Sequence, residues 1–197
     1  MSFERFFPAD LQLKSNRVLM RNLRPSDLEG LWAISQEPSL WTWFTRELNY
    51  RDQLEAFVAE AFTQQQQQIR YPFTVIDLVT GSIAGSTSFG NISFPDKRVE
   101  IGWTWFGNDF RGTGINLHCK YLMLDYAFGK LGFERVEIKT DALNERSRAA
   151  IRKLGMKEEG ILRSHMSMPY GRRRDSVYYS MLLSEWQNAR ERLLTLL

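Results

Sequence analysis

The sequence predicts an α+β fold, in which helices flank a central, mixed but mostly antiparallel sheet of about seven strands. Three patterns support this prediction. Short β-rich runs joined by turn residues fill much of the first half, a strand–helix–strand unit lies in the centre, and two further β-rich runs flank a glycine turn near the end. We find no linker and no internal repeat, so we expect residues 1–197 to form a single domain.

The elements of the first half follow from alternation, capping residues and turns. The stretch Arg17 to Leu23 alternates polar and apolar side chains, as a half-buried strand does. Ser26 or Asp27 is a suitable N-cap for the helix that follows. Val79-Thr80-Gly81 separates two β-rich runs and so indicates a hairpin. The predicted elements are a strand 17–23, a helix from 26–27, a helix 51–68, and strands 72–78, 82–89 and 97–106.

The second half begins with a strand–helix–strand crossover. Strand 97–106, helix 115–131 and strand 134–140 are expected to form one crossover unit, and such units are right-handed. Gly155 is suited to end a helix that begins at Asn144. Strands 157–168 and 174–183, around Tyr170-Gly171, and a C-terminal helix 185–197 complete the prediction.

The composition is that of an ordinary globular protein. The 26 basic and 23 acidic side chains of the 197 residues leave a net charge of +3, too small to indicate nucleic-acid or membrane binding. A single cysteine cannot form an internal disulfide, which fits a reducing compartment. No apolar run approaches the ~20 residues of a membrane span, and the N-terminus lacks the apolar core of a signal peptide. We therefore expect a soluble cytoplasmic protein.

The loop from Phe110 to Asn116, between a predicted strand and a predicted helix, is typical of an anion site. The first N–H groups of a helix lack intrahelical partners, and glycines allow close approach of a phosphate. A P-loop would need a lysine after its second glycine, and none is present. A dinucleotide fingerprint would need a third glycine where Leu117 stands. A pyrophosphate-bearing carrier such as coenzyme A is the third possibility.

Several motifs in the right order resemble the GNAT acyltransferases. Arg111-Gly112-Thr113-Gly114-Ile115-Asn116 is similar to the family's Arg/Gln-x-x-Gly-x-Gly/Ala motif, with Asn116 in place of the usual small residue. Glu100-Ile101-Gly102-Trp103, and Asn144-Glu145-Arg146-Ser147 followed by Leu154-Gly155-Met156, resemble its Rim-type branch, which acetylates the N-termini of ribosomal proteins. The resemblance covers roughly residues 17–187.

The resemblance implies an acetyl-CoA-dependent N-acetyltransferase that works by direct attack in a ternary complex, without a metal. The acceptor would be a primary amine, on a peptide or protein N-terminus or on a small molecule, and a homodimer would be in keeping with the family. Because a fold does not fix a function, the alternative is a non-catalytic acyl-CoA-binding or interaction module on the same fold.

The resemblance also assigns the cofactor-binding residues. The backbone of one strand edge would pair with the pantetheine arm like an added strand, and the loop would hold the pyrophosphate. Asn144 would contact the pantetheine arm, and Arg111 would cap the loop or contact a phosphate. The remaining cofactor residues are Thr104, Trp105 and Phe106 on the strand, and Gly112, Thr113, Gly114, Ile115, Asn116 and Leu117 in the loop.

Glu100 is the candidate that activates the amine through water. Regular alternation would place Glu100, Gly102 and Thr104 on one face of the strand, and Ile101, Trp103 and Trp105 on the other. The absence of a side chain at Gly102 would leave room beside the carboxylate. The alternative is an exposed strand residue paired with Arg98 or Lys97.

Asn144 and Ser147 are the other catalytic candidates. Asn144 can cap the helix, and Ser147, one turn later, could bond the thioester sulfur or protonate the thiolate. The alternative is a plain capping pair. Many members of the family carry a tyrosine acid in this helix, but the equivalent position here is Ile151.

The residues predicted to bind the acceptor come from aromatic and basic runs in the sequence. Trp41, Trp43, Phe44 and Trp103 would either line an acceptor pocket or pack the helices onto the sheet. Arg172-Arg173-Arg174 would be a solvated turn or a contact to an acidic acceptor. No spacing of His118, His165 and Cys119 indicates a metal site.

Overall fold

An eight-stranded sheet forms the centre of the protein in this computed structural model, in which residues 3–197 are described. The strands lie in the order β1-β2-β3-β4-β5-β6-β8-β7, and every neighbouring pair is antiparallel except β5 and β6. The predicted fold class is therefore confirmed. The strands are β1 Gln12–Lys14, β2 Val18–Asn22, β3 Arg70–Asp77, β4 Ile83–Ser93, β5 Arg98–Phe106, β6 Arg135–Asp141, β7 Lys157–Ser167 and β8 Arg173–Leu182.

The described part of the chain has six α-helices, which pack around this sheet. The predicted helix 115–131 is in fact two segments, because the α-helix ends at Asp125 and continues as the π-helical turn Tyr126–Lys130. The helices are α1 Phe3–Phe6, α2 Leu28–Ser35, α3 Arg51–Gln66, α4 Ile115–Asp125, α5 Glu145–Leu154 and α6 Leu183–Leu194. No helix within residues 3–197 is long and apolar enough to cross a membrane.

Two hydrophobic clusters pack on opposite faces of the sheet. The larger one lies on what we call the first face, where α4, α5 and α6 contribute residues such as Met123, Ile151 and Trp186. The smaller one lies on the second face, where α2 and α3 pack Leu31 and Phe57 against the sheet. The sheet is thus the middle layer of three over much of its width.

The two parallel strands separate soon after they begin. Pairing between β5 and β6 is limited to Arg98 with Arg135, Val99 with Val136, and Glu100 with Glu137. From residue 101 onward, the β5 edge that faces β6 has no strand partner among residues 3–197. Both strands end at the same edge of the sheet, so α4 and α5 begin on either side of the resulting gap.

A β-bulge in β5 corrects the predicted distribution of its side chains. Gly102 pairs with Ser88 but Trp105 pairs with Ser86, so β5 has one residue more than β4 here, and Trp103 has a φ of 51°. Trp103 and Trp105 pack with the cluster on the second face, whereas Thr104 bonds to Lys120 of α4 on the first face. The prediction that Thr104 shares a face with Glu100 is therefore wrong, because the extra residue reverses the alternation.

Candidate active site

Glu100 lies where β5 and β6 separate, and its carboxylate is only 4% exposed. The Oε2 atom accepts hydrogen bonds of 2.7 Å from Asn91 Nδ2 and from Lys139 Nζ. Lys97 and Arg98 pair instead with Glu134 and Asp96, so the alternative of an exposed Glu100 paired with one of them is wrong.

The second oxygen of Glu100 has no hydrogen-bond partner among residues 3–197, and Gly102 leaves the space beside it open. A Cβ atom added to Gly102 would lie 3.0 Å from Glu100 Oε1. Any side chain at this position would therefore crowd that oxygen. One oxygen of Glu100 is fixed by protein donors, while the other remains available to an external proton donor.

The loop before α4 presents backbone N–H groups. Gly112 and Gly114 have φ angles of 81° and 91°, which favour glycine, and no atom lies within 4 Å of a Cβ added to either. Gly114 is the N-cap residue of α4 and offers no side-chain cap. Within the described chain, the N–H groups from Gly112 to Asn116 have no hydrogen-bond partner. The loop therefore has the geometry of an anion site.

Two arginines flank this loop. Burial, and then the positive charge of Arg146 in the first turn of α5, lower the pKa of Arg111 below its usual value. Neither guanidinium forms an ion pair with a carboxylate of residues 3–197, although Arg111 contacts Asn108 Oδ1 at 3.4 Å. A bound anion would relieve this mutual repulsion. The sequence motif predicts a role for Arg111 alone. Arg146 was missed because only the tertiary fold brings it near Arg111.

Asn144 and Ser147 lie at the start of α5, on the far side of the gap. Asn144 Oδ1 accepts a hydrogen bond of 3.0 Å from the Ser147 backbone N–H, so Asn144 caps the helix as predicted. The Ser147 hydroxyl is half-buried and has no hydrogen-bond partner within residues 3–197. Ile151 is 4% exposed and belongs to the core of the first face. No acidic or phenolic group therefore occupies that position.

The free edge of β5 is supported from α4. Lys120 Nζ donates a 2.6 Å hydrogen bond to Thr104 Oγ1, which also lies 2.7 Å from Thr87 Oγ1. Lys120 is 6% exposed, and burial lowers the pKa of its amine to about 8. The side chains of Trp105 and Phe106 are buried on opposite faces of the sheet. Only the backbone groups of these two residues therefore line the gap. Sequence reasoning missed Lys120 because buried lysines are rare.

The aromatic residues predicted for the acceptor side divide into two groups. Trp41 is 2% exposed, donates its indole N–H to the Ser35 carbonyl oxygen and packs edge-on against Trp105 and Phe44. Its predicted role in substrate binding is wrong, because the side chain belongs to the core of the second face. Phe44 packs edge-on against Phe57 of α3, which is also a packing role.

Trp43 and Trp103 remain near polar groups. The guanidinium of Arg172 lies 5.6 Å from the Trp43 ring centroid, and that of Arg70 lies 4.6 Å from the Trp103 ring centroid. Trp43 therefore approaches the turn between β7 and β8, and Trp103 follows directly after Gly102 in β5. A role of Trp43 and Trp103 in binding the acceptor stays a prediction.

Arg172 is not a solvated turn residue. It donates a hydrogen bond to Asp141 at the end of β6, and next to it Tyr170 bonds to the Glu47 carboxylate at 2.9 Å. The segment around Trp43 and the turn between β7 and β8 thus meet near the end of β6. Residues far apart in the sequence form this wall of the site.

Other reactive groups lie outside the gap. Burial raises the pKa of the Cys119 thiol to about 12, so the thiolate is not available as a nucleophile at neutral pH. Within residues 3–197 there is no group of three His, Cys, Asp or Glu side chains arranged to hold a metal ion.

The gap thus combines a split parallel strand pair, a glycine loop at a helix N-terminus and a buried glutamate between them, which is the arrangement that the acyltransferase motifs predict. The acetyltransferase (GNAT) domain model matches residues 17–157. The chain belongs to the GNAT acetyltransferase family, as its motifs predict. Members of this family use acetyl-CoA.

Three relatives illustrate the similarity. “Putative ribosomal N-acetyltransferase YdaF” of Bacillus subtilis (strain 168) is 29% identical over 88% of this chain and 95% of that protein. A GCN5-related N-acetyltransferase structure from Brucella melitensis has a TM-score of 0.87 at 26% identity, covering 96% of this chain and 86% of that one. RimJ of Mycobacterium smegmatis, in complex with CoA-disulfide, shares the fold with a TM-score of 0.79 at 21% identity, covering 90% and 88%. The likeness to YdaF agrees with the predicted Rim-type branch.

Proposed function

We propose that the protein transfers an acetyl group from acetyl-CoA to a primary amine by direct attack in a ternary complex. The observation that carries this proposal is the state of Glu100, whose Oε2 is held by Lys139 and Asn91 while Oε1 faces the space above Gly102. Acyl transfer to an amine requires a neutral amine, a stabilised oxyanion and a proton for the leaving thiolate.

Glu100 accepts the proton of the amine, directly or through one water molecule. An α-amine with a pKa near ~7.8 needs only about 1 kcal/mol to become neutral at pH 7, whereas a lysine amine needs roughly 4.6 kcal/mol. The smaller requirement favours a peptide or protein N-terminus, or a small molecule with a weakly basic amine. The ribosomal activity in the name of the relative YdaF supports the same choice.

The gap between β5 and β6 takes the pantetheine arm of acetyl-CoA. Its amide groups pair with the free backbone edge at Thr104 to Phe106, and the pyrophosphate binds the N–H groups from Gly112 to Asn116. Arg111 and Arg146 add positive charge beside it. This placement is supported by the strand edge and the loop N–H groups, which lack partners among residues 3–197, and by both guanidinium groups, which form no ion pair with a carboxylate of those residues.

Ser147 donates a hydrogen bond to the leaving thiolate, and the thiolate takes its proton from solvent, to which Glu100 returns the proton of the amine. Its hydroxyl has no hydrogen-bond partner within residues 3–197, and its backbone N–H is already occupied by Asn144. The buried Ile151 offers no proton. The reaction therefore depends on a weaker donor than a tyrosine, which suffices because a thiol of pKa near ~8.5 is a good leaving group.

The alternative is a non-catalytic module that binds acyl-CoA. The purified protein would be mixed with acetyl-CoA and a panel of amines, which includes short peptides, polyamines and amino acids, while thiol release and product mass are followed. Turnover that depends on Glu100 and is reduced in Ser147→Ala supports the proposed enzyme. Tight CoA binding without turnover on any amine would favour the module.

A further inference from the structure

Next to Glu100, the part of the second face that β6 and β8 form carries polar side chains. We call this part the polar face. Two ion pairs neutralise four of its charges, Glu100 with Lys139 at 2.7 Å, and Asp141 with Arg172. Both oxygens of Asp141 are occupied, because Oδ1 also accepts from the Leu143 backbone N–H at 3.0 Å. The polar face consists of Glu100, Lys139, Asp141, Arg172, Arg174, Ser176 and Tyr178.

Arg174 is the one charged residue of the polar face that takes part in neither ion pair. Its side chain is 7% exposed, and its Nε atom is sealed from solvent without a hydrogen-bond partner. It forms no ion pair and no hydrogen bond with any side chain of residues 3–197. Burial lowers the pKa of Arg174, and the nearby charges of Asp141 and Glu100 raise it only in part. A buried charge of this kind is costly unless an anion complements it.

Within residues 3–197, no other carboxylate near Arg174 is free to pair with its guanidinium. Asp175, the next residue, accepts from the Ser164 backbone N–H at 2.6 Å and alternates to the other side of the strand. His165 lies 2.9 Å from Ser176 Oγ, and its pKa is lowered by burial and then by the charges of Lys139 and Arg174. The local balance of charge is therefore positive.

The register places Arg174 along the path from the glutamate. Lys139, which bonds to Glu100, pairs with Tyr178, and Asp141 pairs with Ser176. Arg174 is the next residue on that side of β8, about 13 Å from Tyr178 along the strand. The charge of Glu100 acts on Arg174 and raises its pKa, so the two side chains are near enough for one molecule to meet both.

We propose that Arg174 binds a carboxylate carried by the acceptor, a few bonds from the amine that is acetylated. This inference rests on the proposed function and names the substrate class of the same site. The carboxylate can belong to an acidic side chain near a peptide N-terminus or to a small ω-amino acid. Polyamines, which carry only positive charge, are then poor acceptors.

The test compares acceptors that differ only in this charge. Wild-type protein would be assayed with Ser-Glu-Ala-Ala against Ser-Gln-Ala-Ala, and with γ-aminobutyrate against its amide. A charge-assisted hydrogen bond predicts a kcat/KM about tenfold or more higher for the acidic member of whichever pair matches the acceptor. The pair that shows the preference identifies the source of the carboxylate.

Variants then assign the preference to Arg174. In Arg174→Gln the ratio of acidic to neutral acceptor should fall close to one, while kcat/KM for the neutral acceptor stays within about threefold. Arg174→Lys should keep part of the ratio, because it keeps the charge. Arg173→Gln is the matched control, since Arg173 is exposed on the same strand and bonds to Ser164 and Ser167.

Two results would overturn the inference alone. In the first, wild-type protein acetylates acidic and neutral members of both pairs equally well. In the second, Arg174→Gln lowers both rates by the same factor, as a purely structural residue would. If no amine is acetylated, the proposed function fails and the inference fails with it. Should Arg174→Gln not fold, the wild-type ratio and Arg174→Lys decide.

Discussion

Glu100, in the last backbone pair of β5 with β6, forms a 2.7 Å ion pair with Lys139, which lies on β6 two residues beyond its pairing partner Glu137, toward the open end. The pair spans the beginning of the gap. It fixes one oxygen of the glutamate and orients the other toward Gly102. Four predictions test this arrangement and the features around it.

Glu100→Gln should lower kcat by about 10²- to 10⁴-fold, because an amide cannot accept the proton of the amine. Affinity for acetyl-CoA should change little, since the side chain lies outside the proposed cofactor groups. The matched control is Glu137→Gln, because Glu137 pairs with Glu100 in the parallel register and bonds instead to Arg135 at 2.7 Å. Equal losses in both variants would contradict a special role for Glu100.

Gly102→Ala should reduce kcat/KM by about tenfold or more, because its methyl group would come 3.0 Å from Glu100 Oε1 and displace whatever binds there. The midpoint of urea unfolding should change far less than the rate. Gly129→Ala provides the comparison, since a Cβ added at Gly129 meets no atom within 4 Å. Wild-type activity in Gly102→Ala would show that Oε1 is not the reacting oxygen.

Arg111→Ala and Arg146→Ala should each raise KM for acetyl-CoA about tenfold, with little change in kcat, because they remove binding that is the same in the ground state and the transition state. Initial rates at varied acetyl-CoA concentration measure this. Arg163→Ala removes an exposed cation from β7 and controls for net charge. A change in KM that the control shares would indicate general electrostatic attraction only.

Lys120→Met should alter how stability depends on pH. Burial lowers the pKa of Lys120 to about 8 in the folded protein, below the ~10.4 of an unfolded chain. Between these values the unfolded state binds more protons, so stability rises with pH as the cost of burying the charge disappears. From pH 7 to pH 9.5 this contribution is about 2 kcal/mol.

The measurement is urea unfolding of wild type and Lys120→Met at both pH values, taken as a difference. Cys119 opposes the trend, because burial raises its pKa to about 12, but it is present in both proteins. The same comparison in a Cys119→Ala background removes that contribution. If the pH dependence is identical in both proteins, Lys120 is not titrating in this range.

The sequence predicted the features that local rules determine. Capping by Asn144, the helix end at Gly155 and the parallel crossover after β5 each depend on a few neighbouring residues, and the structure confirms them. The three-residue strand β1 was missed because alternation cannot be recognised over so short a run.

Other features of the site depend on contacts between distant segments. The bulge at Trp103 exchanges the two faces of β5 for the residues that follow it. The sequence does not indicate this bulge, because a positive φ is usual for glycine or asparagine and not for tryptophan. Lys139 and Arg146 were not predicted because their partners lie on other elements. For Trp41 the sequence left packing and substrate binding open, because its contact with Trp105 joins distant segments.

Strand alternation divides the residues of β6 and β8 into two sets, which lie on opposite faces of the sheet and have different roles. Val136, Ile138, Val177 and Tyr179 contribute to the hydrophobic core, while the alternating positions Lys139, Asp141, Ser176 and Tyr178 belong to the polar face. Substitutions in one set need not disturb the other. A lineage could therefore exchange one acceptor for another by changing alternate residues of two strands, while the packing that holds the fold remains intact.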